Sequence, residues 1–274
     1  MDFGVQALNT GGTVGARETQ RLARVVESLG YRSWWASDHV VLPSPRSGGS
    51  PVEATEPIID PLVHLAFVAA ATTRLELGSG VVILPQRNPL VLAKQAASLS
   101  VLSEGRFRLG VGAGYLEPEL TAIGVPTADR GARTDEYLDA MNSLWYEQNP
   151  SFAGRYVEFA GVDAYPRPVG LQVYIGGHSR GAVRRAVTWA HGWFAIGTVA
   201  ETAANLTRLA EIAETVDRPE HLGKLAITVA AAEPLTPSVV RQYEDLGVEQ
   251  LVIHPAALPG TLDEVLERHA ELIG

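Results

Sequence analysis

The sequence predicts an α/β fold: a (β/α)8 TIM barrel with an insertion after strand four, forming one domain over residues 1–274. Two observations carry this. First, strand-type runs and helical patterns alternate from end to end, about eight times, which is the count that closes a barrel. Second, the chain has 274 residues, 46% of them hydrophobic, and a barrel of roughly 250 residues folds as a single domain. An open doubly wound sheet would also alternate, but it would not need so many strands in strict order.

In order along the chain, Phe3 to Leu8 is a short β run followed by the glycine-rich turn TGGTVG. The next helix places Leu22, Val25, Val26 and Leu29 on one face and stops at Gly30. Tyr31 to Ala36 is strand two, ending in Ser37-Asp38-His39. Residues 40–57, VVLPSPRSGGSPVEATEP, form a loop too long for a compact domain unless it is functional or mobile. Asp60 as N-cap and Pro61 in the first turn open helix two.

Leu75 to Gly114 then reads as strand three, a Pro-marked loop, a helix capped by Asn88-Pro89, and strand four. Glycines punctuate both strands. Gly78 and Gly80 interrupt the first, while Gly110, Gly112 and Gly114 alternate along the second and so share one face. Strand glycines weaken a sheet and mark a bulge or the close approach of a ligand. This unit therefore predicts one wall of a pocket for a flat molecule.

After Gly114 the alternation breaks, over about residues 115–170. A loop with Pro118, Pro126 and Arg130 leads into a helix from Ala132 to Tyr146, and FAGRYVEFAG reads as a hairpin turning at Gly154. Order resumes at Val173 to Ile175, which enters Gly176-Gly177-His178-Ser179 and a helix to Ala190. Three further units follow: strand Trp193–Ile196 with helix Glu201–Thr215, strand Leu225–Ala230 with helix Pro237–Leu246, and strand Gln250–Ile253 with helix Leu262–Ile273.

Composition narrows the function. A net charge of -9 without any basic run argues against nucleic-acid partners. Cysteine is absent, which removes disulfides, thiolate metal sites and cysteine nucleophiles. No HxH or HExxH pattern offers a metal site. The N-terminal MDFGVQALNT has no secretory pattern and no apolar run is long enough for a membrane span, so a soluble cytoplasmic protein is expected.

Barrel chemistry sits at the C-terminal ends of the strands. The tandem glycines Gly176 and Gly177, running through His178 into Ser179 and Arg180 at a helix start, form an anion site; the alternative is an ordinary βα turn with a serine N-cap. Asp38 and His39 at the end of strand two can line the mouth, His39 as acid, base or donor; the alternative is a capping aspartate beside a surface histidine. Tyr115, after Gly112-Ala113-Gly114, serves either as proton donor or as an apolar lid. Asn9 can hydrogen-bond a ligand, whereas His64 and His254 read as structural. The only lysines, Lys94 and Lys224, lie away from strand ends, which leaves a cofactor-free aldolase or isomerase without a Schiff-base candidate.

Three stretches carry a wider resemblance: SDHVVLP, LGSGVVILPQRNPLVLAKQAASLSVLSEGRFRLGVGAGY and VYIGGHSRGAVRRAVTWAHGWF. Together they resemble the luciferase-like monooxygenase superfamily, and within it the branch of coenzyme F420-dependent oxidoreductases. The resemblance runs over essentially the whole chain and implies a barrel interrupted after strand four. It implies a deazaflavin, F420, or alternatively FMN, lying across the mouth. It further implies a non-prolyl cis peptide at Gly80-Val81 backing the ring, a ring contacted by Asp38 and His39, and a phosphate held by Gly176–Arg180. A small organic substrate, a catalytic His39 and a homodimer are expected on the same ground.

The pattern also departs from the family's sugar-phosphate dehydrogenases. Their proton-donor glutamate is replaced by Tyr115, and their tryptophan after the histidine is replaced by Val41, Leu42 and Pro43. Substrate choice is expected to rest on the Val40–Pro57 loop and the Tyr115–Arg130 segment. A barrel that binds a flavin or deazaflavin without catalysis is the remaining alternative.

Overall fold

The computed structural model describes residues 1–273. Its strands are β1 (Asp2–Gln6), β2 (Ser33–Ala36), β3 (Glu76–Ser79), β4 (Val82–Ile83), β5 (Phe107–Gly112), β6 (Phe152–Ala153), β7 (Glu158–Phe159), β8 (Gln172–Gly176), β9 (Gly192–Gly197), β10 (Ala226–Ala231) and β11 (Gln250–Ile253). Apart from the β6–β7 hairpin, all are parallel, in the order β3-β2-β1-β11-β10-β9-β8-β5-β4, and β3 also pairs with β5. The sheet is therefore closed. Because β3 and β4 are two halves of one stave, the barrel has the eight staves expected.

Register exposes the break between those halves. Gly78 lies opposite Arg108, and Val82 opposite Val111, so four steps on one strand face three on the other. One extra residue against a partner strand is a bulge. It falls at Gly80-Val81, which is a cis peptide.

Local chemistry sets the helices. Asp60 accepts from the Leu62 and Val63 N–H groups to start α2 (Pro61–Ala69), and Asn88 does the same for Leu90 and Val91 at α3 (Pro89–Leu102). Each is followed by the proline the first turn tolerates. Gly30, at φ +87°, ends the first helix, α1 (Ala16–Ser28). Capping boxes open α7 (Val199–Ala213) through Thr198 and Glu201, and α9 (Leu262–Ala270) through Thr261 and Glu264.

The interrupted region differs from expectation. Residues around Pro118 form a short helix, α4 (Glu117–Ala122), rather than a loop, with Pro118 in its first turn. The next helix, α5 (Arg130–Tyr146), lies against α3, where Trp145 Nε1 donates to the Ala93 carbonyl at 3.0 Å. It thus serves as an outer helix of the barrel, and the added structure is confined to α4 and the β6–β7 region.

Inside the staves, Trp35, Tyr174 and Phe194 fill the bore, with the Trp35 and Phe194 ring centroids 4.7 Å apart. A Cβ on Gly78 would come within 2.1 Å of the Trp35 ring, and one on Gly192 within 2.2 Å of Tyr174. These glycines make room for the core, not for a ligand. The rings form the floor beneath the C-terminal mouth.

Candidate active site

At the mouth, the glycine-lined face of β5 is occupied by the bulge of its neighbour. A Cβ on Gly110 would lie 2.0 Å from the Ser79 carbonyl oxygen, and one on Gly112 would lie 2.8 Å from Val81 Cγ2. On the other side, a Cβ on Gly176 would meet Val81 Cγ1 at 2.7 Å. Val81 therefore sits in a slot made by two glycines on adjacent staves. The hollow read from the sequence is real, but the chain fills it with its own bulge. Gly114 lies past the strand end at φ +79°, with Ile83 Cγ2 2.7 Å from where its Cβ would stand, so it does not continue that face.

Asp38 is buried and fully paired. It is 4% exposed, and both carboxylate oxygens are engaged: Oδ2 accepts from the Ile83 N–H at 2.9 Å and Oδ1 from Arg87 Nη2 at 2.8 Å. Burial pushes its carboxyl above the usual range, against the pull of Arg87. Arg87 also reaches Asp60 at 2.8 Å and ties the α2 cap to the same point. With both oxygens held by the Ile83 N–H and Arg87, Asp38 supports the bulge in this structure in place of the ring contact expected of it. Asn9 is likewise absorbed: fully buried, it donates to the Ser37 and Ile59 carbonyls and accepts from the Ser37 N–H.

His39, one residue further, does reach the mouth. Its Nδ1 lies 2.9 Å from Glu119 Oε2, while Glu119 Oε1 accepts from the Val40 N–H at 2.6 Å. Glu119 is 1% exposed, on α4. The Tyr115 ring stands edge-on to His39 with centroids 6.1 Å apart, and the residue is 60% exposed. Burial, and secondarily Glu119, raise the Tyr115 hydroxyl above its ordinary value. Leu120, next to Glu119, packs with Ile83 and Val125, which locks α4 onto the strand carrying the bulge.

The Gly176–Arg180 loop leads into α6 (Arg180–Trp189), where Ser179 Oγ accepts from the Ala182 N–H. Gly177 sits at φ +108°, which favours glycine. The first N–H groups of such a helix lack intrahelical acceptors and carry partial positive charge. His178 turns away from the loop: its Nδ1 lies 2.9 Å from Asn205 Nδ2, and its ring stands edge-on to Trp193. Burial lowers its basicity. Arg208 braces the loop from α7, donating to the His178 carbonyl and to Asn205 Oδ1, both at 3.0 Å. Ser179 thus acts as the N-cap of the alternative reading, and His178 supports the loop from behind.

Glu119, Arg87, Asn205 and Arg208 were not singled out by the sequence reading. Glu119 hid in what read as a loop; its signal is an acidic residue one helical turn past Tyr115, just after Pro118. His64 matches its structural reading: buried against Trp34, it is pushed down to about 4 by burial.

Two cavities stand out. One of about 330 Å³ opens at the mouth, lined by Gln6, Ile196, Glu233, His254 and Leu258 among others. Another, of about 560 Å³, lies at the opposite end beside Trp145, Trp189 and His191. Barrel catalysis is built at the C-terminal ends of the strands, and the smaller cavity lies at those ends of β1, β9, β10 and β11, while His39, Tyr115 and the Gly176–Arg180 loop stand outside its lining.

A closed parallel barrel with a bulged third stave, a histidine after the second and a glycine loop entering a helix after the fifth defines an enzyme-type TIM barrel with its candidate site at the mouth. Residues 1–246 match the family described as luciferase-like monooxygenase, and the chain belongs to that family of oxidoreductases and monooxygenases.

Among its relatives, an uncharacterized protein of Mycobacterium tuberculosis is 36% identical over 155 residues, covering 54% of this chain and 55% of the relative. The chain thus spans about half the length of the curated relatives it matches first. The F420-dependent glucose-6-phosphate dehydrogenase of Amycolatopsis mediterranei is 34% identical over 158 residues, covering 56% of this chain and 45% of that enzyme. Among solved structures, a monooxygenase from Streptomyces bottropensis superposes with a TM-score of 0.76 over 100% of this chain and 97% of the other, at 21% identity. That last likeness is one of fold. No helix among the described residues is long and apolar enough to cross a membrane.

Proposed function

We propose that the chain is an F420-dependent oxidoreductase acting on a small organic substrate. The observation that carries the reading is the rim itself: the Val81 slot, the His39 ring and the Gly176–Arg180 loop surround one mouth. The residues present fit a deazaflavin. Gly112 and Gly176 leave space on both sides of Val81 for a bulge that a flat ring can lie against, and the α6 N-terminus offers N–H groups for a phosphate. The likeness to an F420-dependent dehydrogenase supports the same choice.

When bound, the cofactor supplies hydride chemistry at its C5. The chain's part is placement and proton handling. Val81 backs the ring, Asp38 and Arg87 hold the bulge through the Ile83 N–H, Ser179 and Arg180 face the phosphate, and His39 exchanges a proton with the substrate. Tyr115, exposed beside His39, closes that side of the mouth.

An FMN-dependent monooxygenase is the second reading, favoured by the matched family's description. A paired titration with F420 and FMN separates them: micromolar F420 binding with weak FMN binding is expected, and the reverse overturns the first reading. Reduced cofactor that binds but is never reoxidised by carbonyls, enones or imines would mark a carrier instead of an enzyme.

A homodimer is proposed as well. The helices α2 and α3 expose Val63, Phe67, Val91 and Leu102, and Leu102 is 72% exposed. These exposed apolar side chains on two neighbouring helices offer a surface for a second copy of the chain. Sedimentation of wild type against Val63→Asp tests it, with a monomer expected for the variant.

A further inference from the structure

Glu119 presents two oxygens to two donors that are neighbours in the chain. Oε1 faces the Val40 N–H at 2.6 Å and Oε2 faces His39 Nδ1 at 2.9 Å. Its side chain has no solvent exposure, and among the described residues its ionic partner is His39. A backbone N–H can only donate, so Oε1 must accept. Oε2 is then the oxygen left to the imidazole, and a neutral ring facing a carboxylate acceptor through Nδ1 must carry its hydrogen there.

We propose that Glu119 is a positioning residue that fixes the His39 tautomer, holding hydrogen on Nδ1 and leaving the Nε2 lone pair as the atom that exchanges a proton with substrate. The catalytic consequence rests on the reading of His39 as the proton-handling ring; the tautomer does not. In the proton step, Nε2 takes the hydrogen from a substrate O–H or N–H and the ring becomes an imidazolium beside an ionised Glu119. The proton then leaves from Nε2 to water, so Glu119 begins and ends unprotonated. The device works because α4 is anchored elsewhere, by Leu120 against Ile83 and Val125.

The substitution E119Q makes a sharp test. An amide has one acceptor oxygen and one NH2 donor. The Val40 N–H claims the oxygen, which turns the NH2 towards Nδ1 and forces the hydrogen onto Nε2. In the full-length protein labelled with 15N-histidine, long-range 1H–15N spectra distinguish the two tautomers once the ring is titrated to neutrality. The His39 signals are assigned by their loss in His39→Asn.

The expected result is an Nδ1–H ring in wild type and in E119D, which keeps both acceptors, and an Nε2–H ring in E119Q. Turnover in E119Q should fall roughly 100-fold or more, the scale of a lost general acid–base contribution. An Nε2–H ring in wild type, or an unchanged ring in E119Q, overturns the proposal, and the wild-type spectrum decides even if a variant fails to fold. F420 titration of the same samples is a separate readout: failure to bind would remove the deazaflavin reading and leave the tautomer result standing.

Discussion

Ser79 and Gly110 exchange a reciprocal pair of hydrogen bonds across the third and fourth staves. Ser79 Oγ donates to the Gly110 carbonyl at 2.8 Å and accepts from the Gly110 N–H at 2.9 Å. The bulge takes the β3 backbone out of register here, and a side chain supplies both partners that a ladder would have given. Ser79→Ala would leave a buried donor and a buried acceptor unpaired, at about 1–3 kcal/mol for each such group. We expect a loss of at least about 2 kcal/mol in urea unfolding. Gly110→Ala places a Cβ 2.0 Å from the Ser79 carbonyl oxygen, and should cost more than Ser79→Ala.

The glycines in this stretch explain what the sequence made legible. Alternation of strands and helices, together with the Asp60, Asn88 and Ser179 caps, announces a closed barrel because each signal is local. Gly78, Gly110, Gly112 and Gly176 announce a close approach as well, yet a missing side chain does not say what comes near. In this chain the neighbours are Trp35, Ser79 and Val81, all supplied by other staves. Asp38 reads as a site residue for the same reason: its strand-end position is visible, but Arg87, 49 positions away, is not. Glu119 was missed because it acts across 80 positions from a helix too short to show a period.

Val81 and its two flanking glycines should behave as one unit. Gly176→Ala brings a Cβ within 2.7 Å of Val81 Cγ1, and overpacking of this kind costs about 1–3 kcal/mol. Val81→Ala removes the methyl groups in the way. The double variant should therefore recover part of the stability lost in Gly176→Ala, giving a coupling of about 1 kcal/mol or more. Strict additivity of the two single effects would show that Val81 is not what fills the slot. If the bulge backs the cofactor, affinity should fall in each single variant.

Asp38 and Arg87 form a buried ion pair at 2.8 Å, with side chains 1% and 14% exposed. Removing one partner of such a pair leaves an uncompensated buried charge and costs about 3–5 kcal/mol. Asp38→Ala also strips the Ile83 N–H of its acceptor, so it should destabilise more than Asp60→Ala, whose pairing with Arg87 is partly exposed. Thermal unfolding of the two variants checks the order. Equal effects would show that Asp38 does no more than cap the guanidinium.

His64 gives the fold a pH dependence independent of catalysis. Burial against Trp34 lowers its folded-state value from 6.5 to about 4, and its Nε2 has no partner. Between those values the unfolded chain binds a proton that the folded chain refuses. Stability from this group is therefore fully present above pH 6.5 and is lost as pH falls towards 4. The difference corresponds to about 3 kcal/mol at 1.36 kcal/mol per unit. Burial also lowers the basicity of His178, His191 and His254, so the whole acid limb will be steeper than one group explains. His64→Leu removes the group along with its orphaned nitrogen. Its urea midpoints at pH 7 and pH 4.5 should lie closer together than those of wild type, and an unchanged gap would mean that His64 takes up its proton without the fold opening.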